Sequence, residues 1–280
     1  MRRRSSFEGA RCLVTGASSG LGRALAEHLV RDGASVLLTG RSTGRLEAVA
    51  AGLVAGGARP EAVPTVAADL TDAAGRARVV EAAARHFEGL DLAINAAGVG
   101  ATGHFDTHDA AVLRQVFEIN VFALIELTRA VLPMLRRGDR PALVNLGSIV
   151  ARRGLPGRSE YSASKFAVAG FTEAIRAEWA KFGIDVLLLN PGFTATQFET
   201  NLVADTSRYP TNPHRIMTAD AVARATLRAL RHGRHELTLT AGGKTLLLAN
   251  RIAPRFVDFS FAHFVRRIFR DVWDQSRPRT

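Results

Sequence analysis

The stretch Thr15-Gly16-Ala17-Ser18-Ser19-Gly20-Leu21-Gly22 constrains the fold of this chain more than any other. It follows the apolar run Cys12-Leu13-Val14 and leads into Arg23-Ala24-Leu25-Ala26-Glu27-His28-Leu29-Val30, whose apolar residues recur with helical spacing. The pattern is strand, glycine-rich turn, helix. Gly16 permits the tight turn, Gly20 lets the backbone approach a pyrophosphate, and Gly22 allows close packing of the helix. Backbone amides at the start of that helix then face the phosphates, where the helix dipole favours negative charge.

The same alternation continues along the chain. Val- and Leu-rich runs predict strands at 11–14, 35–39, 62–67, 90–95, 142–146, 184–189 and 236–240, and helices at 21–31, 45–55, 73–87, 109–136, 159–182 and 219–231. The strands lack clean polar alternation, as expected of strands covered on both faces. Repeated strand–helix units imply right-handed crossovers. The expected architecture is α/β, a Rossmann-type doubly wound parallel sheet of about seven strands in a single domain with a helical C-terminal extension. We place the sheet domain at 8–242 and the extension at 243–280.

Composition narrows the setting. The chain has 280 residues, 47% of them apolar, enough for a sizeable core. No apolar stretch reaches the length of a membrane span. Met1-Arg2-Arg3-Arg4-Ser5-Ser6-Phe7 has no apolar segment behind its basic residues, so no secretory signal is expected. The lone cysteine, Cys12, lies in the first predicted strand and reads as core, and a reducing cytoplasm is the expected location. No zinc-ligand spacing occurs, so no metal is expected. The net charge of +11 comes from arginines spread along the chain, a pattern of codon bias more than of a partner, and no specific nucleic-acid binding is expected.

Chemistry is concentrated around residue 161. Tyr161 and Lys165 stand four residues apart, and Ser148 lies thirteen residues upstream in Asn145-Leu146-Gly147-Ser148. Four residues is just over one helical turn, so phenol and ammonium project from one helix face. A fixed cation beside a tyrosine favours the phenolate and lowers a pKa that is normally about 10. Tyr161 therefore reads as a proton donor and acceptor near neutral pH.

Taken in order, these motifs resemble the short-chain dehydrogenase/reductase family over about residues 8–242. The glycine turn, with Gly16, Ser18, Ser19, Gly20, Leu21 and Gly22, matches the family's cofactor turn. Asn95-Ala96-Ala97-Gly98 matches the motif ending its fourth strand, and Asn190-Pro191-Gly192 with Thr194 and Thr196 matches the nicotinamide-contacting segment after its sixth. Asn120, Ser148, Tyr161 and Lys165 fall where the family's catalytic tetrad falls. The resemblance implies that Tyr161 exchanges a proton with the carbonyl or alcohol oxygen and that Ser148 hydrogen-bonds the same oxygen. It further implies that Lys165 holds the nicotinamide ribose and that Asn120 holds a water in a proton relay.

Cofactor choice is legible in Leu37-Leu38-Thr39-Gly40-Arg41-Ser42, where NAD-preferring relatives carry an acidic residue. Here Arg41 and Ser42 suit a ribose phosphate, so NADP(H) is favoured over NAD(H). Asp69 resembles the family's adenine-contacting aspartate, with Leu70 beside it. Residues 193–217 resemble the family's substrate lid, with Phe193, Phe198, Leu202 and Tyr209 as one apolar wall of a cavity and 100–105 as the other. Beyond Gly242-Gly243, Leu246-Leu247-Leu248-Ala249 and Ile252 form one apolar group. Val257, Phe261, Phe264, Val265, Ile268, Phe269 and Val272 form a helical stripe opposite Arg266, Arg267 and Arg270. Such a helix packs on the body or a second subunit, or lies on an anionic membrane. The expected function is NADP(H)-dependent interconversion of an apolar, lipid- or steroid-like ketone or aldehyde and its alcohol, by a homodimer or homotetramer. The alternatives are a 3-oxoacyl thioester reductase acting on carrier-bound substrates and a scaffold or regulatory protein that binds NADP without turnover.

Overall fold

A computed structural model describes residues 5–195, 198, 202–205 and 217–268. Seven strands make one sheet: β1 Arg11–Thr15, β2 Ser35–Gly40, β3 Thr65–Ala67, β4 Leu92–Asn95, β5 Ala142–Leu146, β6 Asp185–Asn190 and β7 Glu236–Thr238. Their order is β7-β6-β5-β4-β1-β2-β3, and every pairing is parallel. This is the doubly wound architecture expected from sequence. The chain moves outward in one direction from β1 to β3 and in the other from β4 to β7. The crevice therefore opens beyond the carboxyl ends of β1 and β4.

Alternate strand residues feed two cores. Cys12 and Val14 of β1 pack with α1 (Gly20–Arg31), α2 (Thr43–Ala55) and α7 (Ala219–Arg231) on one face. Leu13 between them packs with α3 (Ala73–His86), α5 (Ala123–Leu135) and α6 (Ser159–Trp179) on the other. Burial on both faces is why the strands read as unbroken apolar runs.

Four boundaries depart from expectation. A 3-10 turn at Pro60–Ala62 delays β3 to Thr65. The helix predicted at 109–136 is two helices, α4 (Ala110–Phe117) and α5, joined by a π turn at Glu118–Phe122. β7 stops at Thr238, because Thr240 turns out of the strand at φ 68° and its side chain caps α8 (Ala241–Ile252). α8 thus straddles the boundary expected at residue 242. It is followed by α9 (Pro254–Ile268), with the bend at Ala253. Of the predicted stripe, Val257 is buried, Phe261, Val265 and Ile268 are half-buried and Phe264 is exposed. Phe269, Arg270 and Val272 lie outside the described residues, as do Thr196 and Tyr209. No helix among the described residues is long and apolar enough to cross a membrane.

Candidate active site

A cavity of about 960 Å³ occupies the crevice above β1 and β4. Its cofactor-facing half is built by the glycine turn. Gly16 adopts φ 64°, and a Cβ on it would stand 2.9 Å from the Ala97 nitrogen. A Cβ on Gly22 would stand 2.3 Å from the Gly16 carbonyl oxygen, so only glycine lets α1 start this close to the turn. Thr15 Oγ1 accepts the N–H groups of Ala96 (2.9 Å) and Ala97 (3.0 Å), tying the turn to the end of β4. The first turn of α1 has no side-chain cap from Ser19 and no acidic residue. Its amides line a cavity with nothing of their own to bind, which fits a pyrophosphate. Ser18, Ser19, Gly20 and Leu21 all border that space, as do Asp69 and Leu70. The Asp69 carboxyl is held below its usual range by the Thr71 N–H and hydroxyl, against the effect of burial.

At the end of β2 the structure separates two predicted neighbours. Arg41 borders the cavity, whereas Ser42 does not: it is the N-cap of α2, accepting the Arg45 N–H. Arg45, one turn into α2, reaches the cavity in its place. The β2–α2 junction therefore offers two guanidiniums to one site.

The tetrad comes from three parts of the fold. Tyr161 and Lys165 lie in α6, Ser148 follows β5, and Asn120 sits in the π turn. Lys165 is buried, donates to the Leu146 carbonyl at 2.7 Å, and stands 5.7 Å from the centre of the Tyr161 ring. Burial pushes its ammonium down to about 8. Ser148 borders the cavity with its backbone N–H donated to Asn190 Oδ1 (3.2 Å). Its Oγ accepts the Val150 N–H at 3.3 Å, which leaves the hydroxyl proton available to an incoming oxygen. Asn120 is fully buried and does not border the cavity. Its Oδ1 accepts the Val99 N–H (2.8 Å), and its Nδ2 donates to the Val99 carbonyl (2.9 Å) and Ser164 Oγ (3.0 Å). The geometry makes its side chain a brace for the loop beyond β4.

Asn95, expected to touch the cofactor, lies beneath the cavity instead. Its amide donates to Thr128 (2.8 Å) and to Asn145 Oδ1 (2.9 Å), and Asn145 donates in turn to Thr172 (3.0 Å). This buried amide ladder stitches β4 and β5 to α5 and α6, fixing where Ser148 and Tyr161 meet. The residues after it, Ala96, Ala97 and Gly98, do border the cavity. Spacing could not reveal Asn145 or Asn190, because their partners arise from strand register.

On the substrate side Pro191, Gly192, Phe193, Thr194 and Phe198 line the cavity. The Phe198 ring lies 5.5 Å from that of Tyr161, and Arg158 stands over Phe193 at 5.6 Å. Leu202 packs toward Gly100 and does not border the cavity. The second wall is not 100–105 but α4, through Ala111, Arg114 and Gln115, with Ile119 of the π turn. Ala101–Thr102 is buried in a two-residue ladder with Ala204–Asp205, and Phe105 faces solvent. Gly243 and Leu246 of α8 close the far end. A buried pair unseen in the sequence stands next to Tyr161. His108 Nδ1 meets Glu160 Oε1 at 2.8 Å, and its Nε2 meets the Thr102 carbonyl at 3.3 Å. Burial pushes the Glu160 carboxyl up, but its backbone N–H, Ser159 and His108 together hold it below the usual range.

A dinucleotide-type crevice with a Tyr–Lys–Ser cluster at its floor defines an oxidoreductase of the Rossmann class. Residues 10–207 match the short chain dehydrogenase family, and the chain belongs to it. It is 28% identical over 266 residues to the ketoacyl reductase HetN of Nostoc sp., covering 93% of this chain and 91% of that protein. A short chain dehydrogenase/reductase from Burkholderia phymatum in complex with NAD superposes with a TM-score of 0.80, at 26% identity over 90% of this chain and 96% of the other. A short chain dehydrogenase from Burkholderia cenocepacia in complex with NADP gives 0.77, at 29% identity over 91% and 98%. Structural neighbours thus bind both nicotinamide nucleotides.

Proposed function

We propose that the protein is an NADP(H)-dependent carbonyl reductase, or alcohol dehydrogenase in reverse, with an apolar substrate. The observation that carries this reading is the placement of Tyr161 and Ser148 on one wall of a cavity whose other walls are Phe193, Phe198, Ile149, Leu155 and Leu246. A nicotinamide nucleotide held by the glycine turn and Lys165 would supply or accept the hydride. Tyr161 gives its phenolic proton to the carbonyl oxygen as that oxygen gains charge, and Ser148 hydrogen-bonds the same atom. Lys165, as a buried cation beside the ring, favours the phenolate left behind until a proton from solvent restores the phenol. Arg41 and Arg45 support the choice of NADP(H), since no carboxylate stands at the end of β2.

Within this reading the sheet domain, 8–242, carries cofactor and catalysis, and the extension from 243 completes the substrate wall. Phe122 and Phe166, exposed on elements that pack together, support a homo-oligomer. A second reading, reduction of carrier-bound 3-oxoacyl thioesters, draws on the similarity to HetN and on Arg114 and Arg158 at the cavity. A screen of ketones, steroids and 3-oxoacyl thioesters, following NADPH and NADH absorbance in parallel, tests both. We expect turnover of an apolar ketone with NADPH; turnover confined to thioesters, or faster with NADH, contradicts the first reading.

A further inference from the structure

We propose that the outer face of α8 and of the first turns of α9 is a docking surface for an anionic lipid bilayer. Leu248 and Ile252, one turn apart on α8, are 58% and 73% exposed, and Phe256 and Phe259 on α9 are 68% and 65% exposed. With Phe264, these are half of the large apolar side chains that stand exposed among the described residues. Single exposed side chains need no explanation, but clustering on two consecutive helices does.

The face is turned outward by a specific anchor. Arg153 donates to Asn250 Oδ1 (3.0 Å) and Asp258 Oδ1 (2.5 Å) and stands over the Phe261 ring at 5.1 Å. Val257 is buried beneath and Phe261, Val265 and Ile268 are half-buried, so the described part of the stripe read from the sequence faces the body except at Phe264. Phe256 and Phe259 belong to neither that stripe nor its contacts.

Charge selects the occupant. From 241 to 268 the chain carries Lys244, Arg251, Arg255, Arg266 and Arg267 against one carboxylate, Asp258, which is paired with Arg153. Aromatic and aliphatic side chains among arginines are what an interfacial helix presents to acidic headgroups. A second copy of this chain is a poorer match, because it would bring the same cations, on a molecule of net charge +11, face to face. Leu246, two residues before Leu248 and so on the opposite side of α8, lines the cavity, which leaves Leu248 free to face the bilayer. The docking does not rest on the function proposed above.

Flotation of the full chain with vesicles of phosphatidylglycerol and phosphatidylcholine, and with phosphatidylcholine alone, tests the surface without any assay of turnover. Phe256→Ser/Phe259→Ser and Arg251→Gln/Arg255→Gln are compared with wild type, and thermal melting and light scattering report fold and assembly. Wild type is expected to float with the anionic vesicles only and to be released by salt. The serine pair should lower partitioning at least tenfold, and the glutamine pair by about fivefold per cation removed. The proposal is overturned if wild type ignores anionic vesicles. It is equally overturned if the serine pair floats like wild type, since diffuse charge then suffices. A serine pair that splits an oligomer while flotation stays unchanged would make this face a contact between copies.

Discussion

Lys165 is the residue on which the site's electrostatics turn. Its folded pKa of about 8 lies below the ordinary 10.5, so the unfolded chain holds the proton more tightly. Burying this cation therefore destabilises the protein without cofactor at neutral pH, and the penalty fades as pH rises from about 8 to 10.5. Against Lys165→Met, which has nothing to titrate there, wild type should gain roughly 3 kcal/mol across that window, at about 1.36 kcal/mol per unit. Melting curves of the two proteins that stay parallel in pH would contradict the assignment. At this scale much was legible: Tyr161, Lys165, Ser148 and the glycines announce themselves through spacing and residue type. The bracing roles of Asn190 and Asn145 do not. Asn190 holds the Ser148 N–H and donates to Glu236 at 2.7 Å, contacts that exist only once β6 lies beside β5 and β7.

At the scale of elements, the β2–α2 junction shows how one turn divides its labour. Ser42 starts the helix, and Arg41 and Arg45 border the cavity. Arg41→Ala/Arg45→Ala should weaken NADPH binding by at least tenfold more than NADH binding, as measured by titration. Ser42→Ala should leave that ratio intact and lower stability by about 1 kcal/mol through the lost cap. Equal losses for both nucleotides in the arginine pair would exclude a phosphate-specific role. The helix pattern across 109–136 hid the π turn, because one inserted residue barely disturbs apolar periodicity while rotating Asn120 into the interior. The shortened β7 was hidden for a related reason. Thr240 looks like a strand residue by type, and only its positive φ and its bond to Gly243 make it the cap of α8.

For the molecule as a whole, the alternation of strands and helices was enough to specify a doubly wound sheet and the edge at which it opens. The cavity's outer walls were not, since α4 and α8 come together only through tertiary packing, as does the buried His108–Glu160 pair. At the opposite end of the sheet, Asp91 closes β1 against β4. Its carboxylate accepts the Arg11 N–H (2.8 Å), two Arg11 guanidinium bonds and the Asp139 N–H. Burial raises its pKa, but these bonds outweigh burial and hold it below the usual value. A depressed carboxylate stabilises the fold above about pH 4 and loses that contribution as pH falls through its folded pKa. Asp91→Asn should therefore melt lower than wild type at neutral pH, and the gap should close in acid; a gap independent of pH would refute this.

The central claim is that the crevice performs nicotinamide-linked carbonyl chemistry through the Tyr161 phenol. Tyr161→Phe removes only that hydroxyl, so NADPH should still raise the melting temperature while the reduction rate of an accepted ketone falls about 100-fold or more. A phenylalanine variant that binds NADPH and turns over at close to the wild-type rate would contradict the account.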